Sequence, residues 1–288
     1  MLTNHCRQGR DPFKIDGPTC ISFSGGRTSG YMLWRVLQAN GGMPTDAVVC
    51  FANTGKEDEA TLRFVRDCAA AWSVPIRWVE YCDNEKGFAE VDFETASRAG
   101  QPFEAIIRKR QYLPNPVTRF CTSELKIRPM HKLVRLAGWA DWDQFIGIRA
   151  DEQRRVAKIR ARGHSTETVH ETMCMPLADA GITVRDVGAF WNAQPFDLEL
   201  LTVNGRTLEG NCDLCFLKPP AQRLGLIKAQ PARAIWWIRM ESLGIASKPT
   251  GARFCKDGPS YADMARFAAD QQDMFDPDEE ALACFCGD

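Results

Sequence analysis

Long hydrophobic runs are missing from this chain of 288 residues. Nothing in it approaches the roughly 18 consecutive apolar residues that span a bilayer, so a membrane protein is not expected. Internal repeats, low-complexity tracts and a net charge of either sign are missing too, with 36 Lys+Arg against 37 Asp+Glu. With 44% hydrophobic residues the composition excludes collagen-like and disordered classes. Histidine is scarce: His5, His131, His164 and His170 show no ligand spacing. The first twenty residues hold Arg7, Arg10, Asp11, Lys14 and Asp16 without an apolar run, which argues against a secretory leader and for a cytoplasmic setting. Cysteine is the exception to this scarcity. There are 12, about 4% of the chain, short of the roughly 8–10% of a disulfide scaffold. In a reducing compartment, that many thiols suggest metal or redox chemistry.

The balanced total conceals an uneven charge map. Between Arg98 and Arg162 there are 15 Lys+Arg and 6 Asp+Glu, while after Arg266 come seven acidic residues and no basic one. A basic segment at 98–162 suits a polyanion such as nucleotide phosphates, sulfate or a nucleic acid.

The pattern alternates. Cys20–Phe23 is β-prone; Met32, Leu33, Val36 and Leu37 form a helical stripe stopped by Gly41-Gly42; Ala47–Ala52 is a continuous apolar run. A second stripe (Phe64, Val65, Cys68, Ala69, Trp72) ends before Pro75, and Ile76–Tyr81 reads as a third strand. This order predicts an α/β protein with a parallel sheet. Residues 83–120, with Gly87, Gly100, Pro102, Pro114 and Pro116, read as an irregular insertion. A helix starts near Pro129, and Phe145–Ile148 reads as a fourth core strand. A boundary near residue 165 separates a core at 15–165 from a smaller cysteine-bearing region at 166–288 with an acidic tail.

Ser24-Gly25-Gly26-Arg27-Thr28-Ser29 stands between the first strand and the first helix. Glycines there let backbone N–H groups approach a phosphate, and a helix N-terminus adds favourable dipole charge. Ser24, Thr28 and Ser29 offer hydroxyls and Arg27 a bidentate cation. The spacing is neither a Walker loop nor a dinucleotide fingerprint.

This segment resembles the pyrophosphate loop of the adenine nucleotide alpha-hydrolase (PP-loop ATP pyrophosphatase) superfamily, and later segments resemble its phosphoadenylyl sulfate reductase family, iron–sulfur type. Asn53-Thr54-Gly55-Lys56-Glu57 is similar to the turn beside the adenosine, Gly147-Ile148-Arg149-Ala150-Asp151-Glu152 with Arg155 to the Gly-x-Arg-x-x-Glu segment, and Cys121 through Lys126 to Pro129 to the cysteine, lysine and proline stretch. The resemblance implies a doubly covered parallel sheet. It also implies adenine nucleotide contacts (ATP or adenylyl sulfate, with Mg2+ a candidate companion) at Ser24, Gly25, Gly26, Arg27, Thr28, Ser29, Thr54, Gly55, Glu57, Gly147, Arg149, Glu152 and Arg155. Arg27, Lys126 and Arg149 would stabilise charge on the phosphates.

Cys212-Asp213-Leu214-Cys215 is a Cys-x-x-Cys pair able to reach one metal. With Cys121 it resembles the [4Fe–4S] site of the iron–sulfur reductases, a fourth ligand coming from Cys284 or else Cys286; zinc on Cys212, Cys215, Cys284 and Cys286 is the alternative. Cys20, Cys50 and Cys68 read as small buried hydrophobes. The family's C-terminal Glu-Cys-Gly-x-His motif survives only as Cys286-Gly287. The expected function is therefore ATP-dependent adenylation of an acceptor, then sulfur transfer from a cluster or persulfide, with Cys286 a candidate sulfur carrier. A reductase of adenylyl or phosphoadenylyl sulfate using a thiol reductant, and a nucleic-acid-binding module using the 98–162 region, are the alternatives.

Overall fold

The protein, a computed structural model, is described over residues 10–203, 206–243 and 251–270. The described residues fall into two compact units: those of 10–110 with 119–213, and those of 111–118 with 214–270.

The first unit is built on a sheet. Its strands are β1 (Thr19–Ser22), β2 (Ala47–Asn53), β3 (Ile76–Glu80), β4 (Ala89–Val91), β5 (Trp142–Ile146) and β6 (Glu171–Cys174), in spatial order β4-β3-β2-β1-β5-β6. All neighbours are parallel except β3 and β4, so the sheet is mixed rather than wholly parallel. The antiparallel edge was hidden because β4 is three residues long, inside the stretch that read as irregular.

Alternation along the strands sends side chains to two cores. Ile21, Phe23, Val49, Phe51 and Phe145 face one side, where they meet α1 (Arg27–Asn40), α2 (Glu59–Trp72) and α8 (Val184–Asn192). Cys20, Cys50, Ala52 and Val79 face the other, against Met130, Leu133 and Val134 of α5 (Arg128–Leu136). Both faces are thus covered, as buried parallel strands require. α1 stops at Gly41, whose φ of 70° gives a left-handed cap. α2 begins at Asp58, whose carboxylate accepts the N–H of Ala60.

Further elements complete this unit: α3 (Gln101–Arg110), α4 (Phe120–Thr122), a π-helical turn at Ser123–Ile127 leading into α5, α6 (Gln153–Arg162), α7 (Pro176–Asp179), and the short pair β7 (Thr202–Val203) and β8 (Arg206–Thr207). Pro102, read as a breaker, sits in the first turn of α3, where a missing N–H costs nothing. The first unit runs past residue 165, through β6, to 213. β6 lies beyond residue 165 and was missed because Glu171-Thr172-Met173-Cys174 is short and half polar.

The second unit contains α9 (Pro220–Ala229), α10 (Ala234–Ser242) and α11 (Tyr261–Asp270) around Trp237, Phe254 and Tyr261. The carboxylate of Glu241 accepts the N–H groups of Phe254 and Tyr261, and the Tyr261 hydroxyl donates to the Leu214 carbonyl.

Candidate functional site

β1 pairs with β2 on one side and β5 on the other, so the direction of winding reverses between β1 and β5. In open sheets the crevice beyond the carboxyl ends of such strands is where ligands bind. Two segments flank it here: Phe23–Gly26, leading into α1, and Gly147–Glu152, following β5.

The glycine loop is held from within. Gly25 has φ +74°, and a Cβ there would lie 2.5 Å from Thr61 Cγ2. Gly26 is the N-cap of α1 and has open space around it; the nearest atom to an added Cβ is Ser24 Oγ at 3.8 Å. The first turn of α1 carries no acidic residue and no side-chain cap, which leaves its N–H groups and dipole unopposed for an anion. Ser29 is buried. Its hydroxyl donates to the Gly26 carbonyl and accepts from Ser24 N–H (3.1 Å), Ser24 Oγ (3.0 Å) and Gly26 N–H. Ser24 is exposed and Ser29 buried, and their hydroxyls order the loop.

Arg27 also has another task. Its Nε and Nη2 form a fork on Asp197 at 2.7 and 2.8 Å, Nη2 donates also to the Leu198 carbonyl, and Nη1 bonds Thr202. Its backbone carbonyl accepts the indole N–H of Trp191 at 2.8 Å. That guanidinium is paired with a carboxylate, and the cation across the loop, Arg149, is paired with one too. Arg149 Nη1 donates to Thr28 Oγ1 at 3.1 Å, while Nε donates to Asp151. Glu152 accepts the N–H of Arg149 and pairs with Arg155. At Gly147 an added Cβ would sit 3.2 Å from Ser29 Cα, so a side chain there would press the β5 loop away from the backbone of α1. The structure thus brings Ser24–Ser29, Gly147, Arg149, Glu152 and Arg155 into one region.

A second group gathers at the end of β2. Glu57, buried, accepts both the N–H and the hydroxyl of Thr54 at 2.8 Å through Oε2, closing the turn around Gly55. Its other oxygen is buried and 3.6 Å from Lys126 Nζ, which arrives from the π-helical turn. Lys56 forms a buried ion pair with Asp213 at 3.0 Å, and Glu57 bridges in antiparallel fashion to Cys212. Cys212 Sγ lies 3.4 Å from Thr54 Oγ1. Because the Thr54 proton goes to Glu57, the thiol is the donor in that contact. Cys212 thus joins the Thr54–Glu57 turn, to which Lys126 is linked through Glu57.

Cys121 lies in α4, and Cys215 belongs to the second unit. Cys284 and Cys286 lie outside the described residues. Among the described residues no group of three or more His, Cys, Asp or Glu side chains is placed to hold a metal ion. Cys20, Cys50 and Cys68 are buried, as expected, and burial pushes the Cys20 thiol up to about 12 and the other two well above the usual thiol range. Among the described residues no helix is long and apolar enough to cross a membrane.

Asp197, Trp191 and Asp213 were not visible as site residues in the sequence. Each acts on a partner 157 to 170 positions earlier, Asp213 on Lys56 and Asp197 on Arg27, and no local motif marks such a pairing.

Fold and loop together define an α/β protein with a mixed, mostly parallel six-stranded sheet and a glycine loop at the switch point. The chain belongs to the family of the uncharacterized nin region protein ORF290 of Escherichia phage lambda, with which it shares 31% identity over 215 residues, 72% of this chain and 68% of that protein. No family model matches. Solved structures with remote likeness include a phosphoadenylyl-sulfate reductase from Candida auris in a phosphate complex, with a TM-score of 0.39 and 14% identity, covering 66% of this chain and 81% of that one. Another is the U34-tRNA thiolase NcsA from Methanococcus maripaludis with its [4Fe-4S] cluster, with a TM-score of 0.36 and 12% identity, covering 93% and 76%.

Proposed function

We propose that the chain is a nucleotidyl-transfer enzyme that binds ATP at the switch-point crevice and adenylates an acceptor for sulfur transfer. The observation that carries this reading is the Thr28–Arg149 contact, which sets a planar cation against the first turn of a helix whose N-cap is a bare glycine. Helix N–H groups and Arg149 together suit the phosphates of a nucleotide. Gly26 lets the phosphates approach the backbone, and the Thr54–Glu57 turn is the proposed adenosine side.

In the proposed reaction an acceptor oxygen attacks the α-phosphorus in line. The bond from that phosphorus to the bridging oxygen breaks, and pyrophosphate leaves with the electron pair. Arg149 and the α1 N–H groups stabilise the charge that develops. Hydrosulfide, as the sulfur source, then attacks the activated carbon, and AMP departs with the carbon–oxygen electron pair. No net oxidation occurs. A [4Fe–4S] cluster on Cys121, Cys212, Cys215 and Cys284, or zinc on Cys212, Cys215, Cys284 and Cys286, would draw on cysteines outside the described residues, so no step is drawn through one.

The test is ATP–pyrophosphate exchange alongside calorimetric titration with ATP. Exchange and saturable binding are expected. Sulfite release from adenylyl sulfate with no exchange would replace adenylation by reduction.

A further inference from the structure

The positive charge concentrated between Arg98 and Arg162 is not shared evenly by the fold. On α3 the run Arg108-Lys109-Arg110 is matched by acids: Arg108 with Glu104 at 2.7 Å, Lys109 with Asp83 at 2.6 Å, and Arg110 with Glu124. Arg128 likewise lies between Glu124 and Glu167. α6 differs. Its inner stripe, Val156 and Ile159, packs with Ile148 and Met175. Arg154 and Lys158 stand opposite that stripe and are exposed. Among the described residues, neither forms an ion pair with a carboxylate. Arg162, one turn further, gives its Nε to the His164 carbonyl. Residues 154, 158 and 162 therefore form a row of cations about 6 Å apart along the helix axis.

The chemistry of this face narrows its partner. The residues beside the row, Ala157 and Ala161, are exposed and small, so the face lacks the aromatic anchors that dominate protein interfaces and the large apolar side chains that insert into a lipid surface. A row of cations without apolar anchors suits a phosphodiester backbone, whose phosphates take Arg and Lys contacts and release counterions. The row also begins five residues after Arg149, on the helix that follows the β5 loop.

We infer that this face of α6 docks the backbone of a nucleic acid and so brings a nucleic-acid acceptor to the nucleotide crevice. The second half of that statement rests on the nucleotidyl-transfer reading; the docking does not.

The test is fluorescence anisotropy with labelled 20-nucleotide single-stranded RNA, single-stranded DNA and their duplexes, from 50 to 200 mM KCl. The full chain is compared with Arg154→Gln/Lys158→Gln and with Arg108→Gln, which changes a matched cation on α3. The double variant is expected to bind about tenfold or more weakly, and its salt slope on single strands to fall by about 1.4, two contacts at roughly 0.7 each. Arg108→Gln is expected to bind like the parent. Both changed residues are exposed, so circular dichroism and Tm should match. Tighter binding of RNA or of DNA identifies the source of the backbone; equal binding identifies contacts to phosphate alone. Wild-type affinity in the double variant, an equal loss in Arg108→Gln, or no binding by the parent at 50 mM KCl would overturn the inference. ATP titrations run in parallel separate the two readings: an ATP-silent parent that still binds oligonucleotides through α6 refutes the nucleotide crevice, not this surface.

Discussion

Arg149 and Thr28 are 121 positions apart in the chain and 3.1 Å apart in the fold. This contact joins the segment after β5 to the first turn of α1, making two connections into one side of a crevice. Replacing Arg149 by Lys keeps the charge but loses the planar fork that can hold Thr28 and Asp151 together. ATP affinity is expected to fall about tenfold, or about 1.4 kcal/mol, with Tm nearly unchanged. Calorimetry at fixed ionic strength checks this, and an unaltered Kd would remove Arg149 from the nucleotide site.

The two loop glycines should fail in different ways. Gly25→Ala meets Thr61 and an unfavourable φ, so a stability loss of about 1–3 kcal/mol is expected. Gly26→Val points into open space and should leave denaturant unfolding close to the parent while abolishing ATP binding. If instead Gly26→Val binds ATP normally, the phosphate-loop assignment is wrong.

Asp197→Asn withdraws the charged partner of Arg27. Because Asp197 is partly exposed, the expected cost is about 1 kcal/mol. ATP affinity should weaken as the α1 terminus loosens. An unchanged Tm and Kd would show that the pair does not support the loop.

Cys20, Cys50 and Cys68 should be inert in the native protein. With the Cys20 thiol pushed up to about 12, only about one molecule in 10⁴ carries its thiolate at pH 8. Iodoacetamide labelling followed by peptide mass mapping should find these three unmodified until denaturant is added. Native labelling of Cys20 would contradict its burial.

Burial raises the Glu241 carboxyl above its ordinary 4.5 despite two backbone donors. A carboxyl raised on folding binds more protons in the native state, so its stabilising contribution is full below the unfolded value and is lost as pH rises through the folded one. The stability of the parent relative to Glu241→Gln should therefore decline from pH 4 to 7 in urea titrations. A rising difference would mean the carboxylate is held by its donors more strongly than it is penalised by burial.

The strands and helices around the glycine loop were legible because they obey local rules. Ala47–Ala52 is apolar throughout, α1 ends at a glycine pair, and α2 stops just before Pro75. The loop itself was legible for the same reason. What escaped was set by distance or brevity: β4 is too short to show a period, β6 is four residues with neither alternation nor an apolar run, and the Asp197 fork on Arg27 spans 170 residues. Lys126 was marked by its motif, yet its approach to Glu57 depends on the π-helical turn, which no spacing rule announces.

The indole of Trp191 lies so close to Gly30 that an added Cβ would be 2.6 Å from the ring, and its N–H holds the Arg27 carbonyl. This contact gives the loop a place in time as well as in space. During synthesis, β1 and α1 emerge about 160 residues before the side chain that fixes their junction, and contacts of such separation form late. A nascent chain stopped before Trp191 should therefore hold strands without a competent anion cradle. Nucleotide capture would begin only after α8 has left the ribosome, so the part of the chain before Trp191 alone should be silent toward ATP even where it is ordered.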